Sequence, residues 1–531
     1  MTLRASCAIA VLGVLGLVSA VAAQEKPGTD RLGKVHFSIS CSPAVQEEFN
    51  RAVALLHSFW LDAAKQAFTS VAEKDPSCAI AHWGVAMTMY GNPFAWPPAS
   101  KALADGWAVI QKAMGVGAKT QRERDYIAAL EAFYKDSDTV DHRTRALAYL
   151  KGMEQLSLSY PEDREAAVFY ALTLAATALP ADKTYTQQLR AAEILEKIFA
   201  GQPDHPGVAH YLIHSYDYSP IAHRGLDAAR RYSKIAPSAP HALHMPSHIF
   251  TRRGFWSDSI DSNRASAAAA RNQFDQLHAM DYLAYAYLQG TQDIQAKRVW
   301  DEMRAIPKIT FEHFVPAYAL AAIPSRYTLE RGRWAEAASL TLQPADFPWS
   351  RFPQSEAVLV FARGLGAARS GNVVAAGKEI DRLQTLGDAL AQAKSAYWAE
   401  QVEIQRMVVA AWVARAEGKN EEALSLMRAA AAREDASDKH PVTPGPILPA
   451  RELLGEMLLE LNRPAEALKE FEASHQVEPN RFKGLYGAAR AAELAGDAAK
   501  ARSHYTTLLV VSQQADTERP ELRHARTFLS K

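Results

Sequence analysis

The chain has 531 residues, of which 48% are hydrophobic and 22% charged, with 59 Lys+Arg set against 59 Asp+Glu. A balanced charge argues against a nucleic-acid partner, which would need a basic surface, and against tight electrostatic attachment to a membrane. The length exceeds what one small core can organise, unless the chain is built from repeats that pack only on their neighbours.

The first segment reads as a targeting signal. Arg4 supplies a positive start, Cys7 to Val18 is apolar and uncharged, and Ser19-Ala20-Val21-Ala22-Ala23 offers small residues for cleavage. This is the pattern of a secretory signal peptide over 1–23, and its apolar run is too short to span a bilayer. No later stretch is long and apolar enough for a transmembrane helix. The expectation is an exported protein, periplasmic or otherwise extracellular. Cys41 and Cys78 would then sit in an oxidising compartment, each just ahead of a predicted helix. A disulfide between them and two unpaired thiols are both open, and geometry decides.

Residues 24–91 carry the first helical unit. Ala64, Phe68 and Pro76 are spaced as Ala467, Phe471 and Pro479 are, and Ala191, Leu195 and Pro203 repeat that spacing. Residues 92–160 lack clear repeat marks and read as a helical insertion packed on the array over one mouth. They begin with the aromatic stretch Phe94-Ala95-Trp96, in a loop where an exposed binding role is more natural than in a helix. Residues 161–342 form a histidine-rich array, and 343–437 further units. Residues 438–450 hold Pro441, Pro444, Pro446 and Pro449 and read as an extended linker. Residues 451–531 form a terminal pair of repeats.

That pair gives the clearest period. Leu454, Gly455, Leu458, Ala467 and Phe471 each recur 34 positions later as Ala488, Ala489, Ala492, Ala501 and Tyr505. Gly332/Ala337, Gly371/Ala376, Gly418/Ala423 and Gly496/Ala501 place a small residue five after a glycine, and Asn462/Ala467 does so with Asn. Gly or Asn suits the left-handed residue that ends a helix. With these marks the chain resembles the tetratricopeptide repeat family over most of its mature length. The resemblance implies an all-α solenoid of helical hairpins, a right-handed superhelix whose concave groove holds a protein or peptide partner.

No phosphate loop, His-Glu-x-x-His, Cys-x-x-Cys or Gly-x-Ser-x-Gly elbow is present. The unusual feature is seven histidines from His205 to His248, among 17 in the chain. His210 and His214 are four apart, as are His244 and His248, and such pairs share a helix face. These four form a candidate site for zinc, copper, iron or nickel. Asp217 could add a carboxylate or orient a ring. His57, His210, His214, His278 and Asp281 are candidates to line the groove. The alternative is a hydrogen-bonded polar groove without metal, with Pro246 disturbing the His244–His248 geometry. Asp217 or Asp281 beside a neutral His could also act as an acid–base pair, or pair with Arg224 and Arg252. No reaction is assigned from the sequence.

Overall fold

The computed structural model describes residues 30–95 and 97–531. The signal-like segment and Trp96 lie outside the described residues. Among the described residues all regular structure is helical, and no helix is long and apolar enough to cross a membrane. Successive helices pack on one another along the chain, which makes a tetratricopeptide-like solenoid.

The repeat marks do the packing work expected of them. Ala64, Ala191, Ala467 and Ala501 are wholly buried. The Phe471 ring fills the space that side chains at Gly455 and Gly487 would take, and Phe68 does the same opposite Gly84. Gly332, Gly371, Gly418, Gly496 and Asn462 all have positive φ at the turn between paired helices. A residue with a Cβ is strained there, which is why Gly or Asn holds these positions.

Residues 92–160 continue this stacking. Their helices Ser100–Val116, Gln121–Tyr134 and His142–Ser159 follow in order between Ala79–Tyr90 and Arg164–Ala176. Gly106 gives way to the Tyr134 ring as Gly84 does to Phe68.

Two hydrophobic cores result. One is built from residues up to Phe250, the other from Trp256 onward. The array then folds back on itself. Trp256 Nε1 donates to the Asn480 carbonyl at 2.8 Å, and Arg519 Nε reaches Asp293 at 3.1 Å. The fully buried Arg481 pairs with Glu330 and, at 2.8 Å, with Glu452. The C-terminal repeats therefore sit against the central ones.

The proline-rich segment is not a free spacer. Val442 to Gly445 and Ile447 to Pro449 are buried. Arg326 donates to the Pro446 and Gly445 carbonyls at 2.7 and 2.9 Å, and Tyr282 donates to the Thr443 carbonyl at 3.1 Å. Prolines suit such a strap because the buried backbone has fewer N–H groups to satisfy.

Cys41 and Cys78 form a disulfide with a Cα separation of 5.0 Å, across 37 residues of sequence. Closing a loop of that length stabilises the fold by roughly 2–4 kcal/mol. The Cys41→Ala/Cys78→Ala variant should lose that amount in urea unfolding while keeping its helical circular dichroism.

Candidate functional site

The histidines meet at the seam between the two cores. The helix Pro206–Tyr216 carries His210 and His214, and Gln273–Gln289 carries His278. His241 and His244 lie in Pro240–His244, and His248 in Pro246–Arg252. Pro246 divides these two helices, but Met245 keeps helical angles (φ −53°, ψ −35°), so His244 and His248 stay on one face.

Two sets of three converge: His210, His214 and His241, and His244, His248 and His278. Within each set the ligand atoms all lie within 4.8 Å of one another. The sets adjoin, with ring centroids 6.1 Å apart for both His214–His248 and His241–His244. The four residues expected to form one site are thus divided between two, each completed by a third histidine. His241 is the one missed; its spacing of three and seven to His244 and His248 places it on their helical face.

For three of the rings the hydrogen bonds fix which nitrogen points inward. His210 Nδ1 lies 2.6 Å from the His57 carbonyl, a pure acceptor, so Nδ1 carries the proton and Nε2 is bare. His244 Nδ1 lies 2.6 Å from Asn263 Oδ1. The Asn263 amide nitrogen donates to the Ser259 carbonyl at 2.7 Å, which fixes Oδ1 as the acceptor. His248 Nδ1 lies 2.9 Å from Asp217 Oδ2. Burial alone would raise the Asp217 carboxyl, but Lys439 and Arg252 hold it well below the usual range, so it is ionised and accepts.

His244 Nε2 and His248 Nε2 therefore face each other at 3.0 Å, both with lone pairs inward. His210 Nε2 meets His241 Nε2 at 3.1 Å, and the buried His214 Nε2 has no hydrogen-bond partner. Two imidazole lone pairs at that distance need an electrophile between them, a proton or a metal ion. Burial drives His244 well below its ordinary pKa and lowers His248 too, so the proton is disfavoured at neutral pH. A metal with about 2.0–2.1 Å bonds to both at a tetrahedral angle would place the nitrogens roughly 3.3–3.4 Å apart, so the rings need to part by only a few tenths of an ångström.

The surroundings are aromatic. Phe94 stacks on His214 at 3.9 Å, Tyr232 on His210 at 5.2 Å, and Phe59 meets His210 edge-on at 4.5 Å. Asp217 is held from behind by Arg252 Nε at 2.9 Å and by Lys439 Nζ, from the strap, at 2.8 Å. Lys439 is lowered to about 8, chiefly by burial.

The residues expected along an open groove are buried instead. His57, His210, His214, His278 and Asp281 all lie inside the array: Phe169 covers His57, Phe59 and Phe94 cover His210 and His214, and the strap lies over Arg326, the partner of Asp281. Asp281 pairs with Arg326 at 3.1 Å and joins no histidine. Asp217 pairs with Arg252 as one alternative held, whereas Arg224 turns to Glu196 at 3.8 Å.

His57 belongs to a third cluster with Glu165 and His205. Its donors are already engaged. His57 Nε2 and His205 Nε2 each lie 2.8 Å from a Glu165 oxygen. Tyr211 lies 2.9 Å from His57 Nδ1, and the Val208 amide donates to His205 Nδ1. No lone pair is left pointing inward, so hydrogen bonds satisfy this cluster without a metal.

No known family profile matches the chain, and no curated protein matches it in sequence. Solved structures with similar architecture include Naa15/Naa10 bound to HypK-THB, at 12% identity and a TM-score of 0.25, covering 91% of this chain and 73% of that one. The APC/C hetero-tetramer Cut9–Hcn1 gives 12% identity and a TM-score of 0.28, covering 92% and 95%. The human IFIT1 dimer with m7Gppp-AAAA gives 12% and 0.38, covering 82% and 90%. Likeness at this level says nothing of partners or activity.

Two outcomes follow from the ring chemistry. His205→Gln should cost a few kcal/mol in unfolding free energy by breaking a buried charge-assisted bond, yet leave metal content unchanged by elemental analysis. His210, His214, His241, His244 and His278 are all held well below their ordinary pKa, first by burial. They stay neutral when folded and take up protons when unfolded, so their stability is present above pH 6.5 and lost as pH falls. Each adds up to about 1.4 kcal/mol per pH unit to that loss. Chemical denaturation of the metal-free protein between pH 7 and 5 should show a drop of several kcal/mol.

Proposed function

We propose that this is a transition-metal protein whose centre is the pair of three-histidine sets, His210/His214/His241 and His244/His248/His278. One observation carries the reading: two neutral, Nδ1-anchored imidazoles turn bare Nε2 atoms toward each other at 3.0 Å in a buried site. The outward hydrogen bonds fit it, since metal-bound histidines usually give the other ring N–H to a carboxylate, amide or carbonyl oxygen. Here Asp217, Asn263 and the His57 carbonyl take those roles. Imidazole ligation suits zinc, copper, iron or nickel. Export to an oxidising compartment is part of the proposal, supported by the signal-like start and by the Cys41–Cys78 pairing.

A second reading, partner or ligand binding by the array, is favoured by a cavity of about 610 Å³ where the strap, the central repeats and the C-terminal repeats meet. Tyr185, Arg252, Tyr397, Trp398, Lys439 and Glu478 are among its walls. Its mix of aromatic and charged groups suits a peptide segment better than a purely apolar ligand. Tyr397→Ala, in a folded protein, should abolish recovery of whatever partner the wild type retains from envelope extract. Unchanged recovery would remove the cavity from this role.

For the metal reading, the untagged mature chain should carry two equivalents of transition metal by elemental analysis after loading and desalting. His244→Ala/His248→Ala should retain at most one, and His210→Ala/His214→Ala likewise. A folded wild-type protein that retains none after exposure to all four metals would sink the proposal.

A further inference from the structure

The six rings are neutral donors, and only one of their hydrogen bonds is to a carboxylate, from His248 to Asp217. That carboxylate is already matched by two cations, Arg252 and Lys439. Asp281 is matched by Arg326, and Glu165 is engaged by His57 and His205 rather than by the six. No anionic ligand is supplied to the centre by the residues that converge there. Two divalent ions would place four positive charges in a desolvated, aromatic-walled site with nothing to offset them, and uncompensated buried charge is costly. A monovalent ion halves that charge. Among the metals that imidazole suits, copper is the one with a stable monovalent state.

We infer that the centre binds a pair of copper(I) ions and takes dioxygen between them. The inference rests on the metal reading above and adds the metal, its oxidation state and the small molecule. The step balances without a further reactant. Each copper(I) gives up one electron, and dioxygen receives both and becomes peroxide, with its O–O double bond reduced to a single bond. No proton moves. The two positive charges gained by the coppers are cancelled by the two negative charges on peroxide, so the buried site sees no change in net charge. The missing anionic ligand is thus supplied by the reaction itself. Three neutral donors per metal leave a coordination position open toward the neighbouring ion. The two sets adjoin, with ring centroids 6.1 Å apart for both His214–His248 and His241–His244, so two ions held by them would be neighbours.

The test uses the full mature chain, stripped of metal and titrated without oxygen with copper(I), and separately with zinc(II). The expected result is two copper(I) per chain, held in preference to zinc(II). On admitting air, one dioxygen should be consumed per two coppers, with an intense near-ultraviolet charge-transfer band and coupled, EPR-silent copper(II). His278→Gln and His244→Ala/His248→Ala, each checked for native circular dichroism, should lose the band and the paired uptake. Preference for zinc(II), binding of a single copper, or slow oxidation to EPR-visible copper(II) would overturn this inference while leaving the metal reading intact. Binding of no metal by the folded protein would overturn both.

Discussion

Two imidazole lone pairs held 3.0 Å apart in a buried site are the constraint around which the rest of this molecule is arranged. Left alone they repel, and the low dielectric makes the repulsion stronger. The rings hold their positions because each is tied at Nδ1 to an acceptor that belongs to a different part of the fold. His210 is tied to the carbonyl of His57, His244 to Asn263, and His248 to Asp217. Turning any ring to relieve the contact would strand a buried N–H, at a cost of about 1–3 kcal/mol. The outer shell therefore holds the inner nitrogens in an arrangement that the nitrogens themselves oppose.

A solenoid by itself would leave this cluster on an open inner face. Here the array closes. The strap brings Lys439 to Asp217 and the Thr443 carbonyl to Tyr282, while Arg481 and Arg519 bind the terminal repeats to the central ones. Removing water from the cluster lowers the pKa of the rings, which clears protons from the nitrogens that would receive a metal. The same closure leaves the cavity on the far side of Arg252 and Lys439, so these two cations form a wall shared between the cavity and the layer behind His248.

The repeats were legible in the sequence because their signal is local. Gly332, Gly371, Gly418, Gly496 and Asn462 mark left-handed turns, and the alanine–phenylalanine spacing marks close helix packing, whatever lies elsewhere. The pairings at four residues, His210/His214 and His244/His248, were legible for the same reason. The division into two sets was not, because it depends on how Pro206–Tyr216 is turned toward Pro240–His244 and Gln273–Gln289 in space. The burial of the strap was not legible for a physical reason as well: four prolines in 438–450 suit an exposed extended linker and a buried, donor-poor one equally. What separates the two is Arg326, 120 residues away from Pro446, whose guanidinium satisfies the strap's carbonyls. Asp281 looked like a partner of His278 by spacing alone, but that same Arg326 claims it.

Proximity of donors does not by itself make a metal site, and the third cluster in this protein demonstrates why. His57, His205 and Glu165 meet as closely as either three-histidine set, and a carboxylate between two imidazoles has the right ligand types. Yet Glu165 accepts from both rings, while Tyr211 and the Val208 amide face the remaining nitrogens. A metal entering there would have to displace two protons and break charge-assisted bonds that burial has strengthened. In His210, His244 and His248 the balance is reversed, since their Nδ1 protons face outward to fixed acceptors and their Nε2 lone pairs face inward. The clusters are equally close-set; they differ in where the protons are. The His57 carbonyl links the two, because the residue whose ring nitrogens are both engaged in the third cluster also anchors His210 of the proposed metal centre.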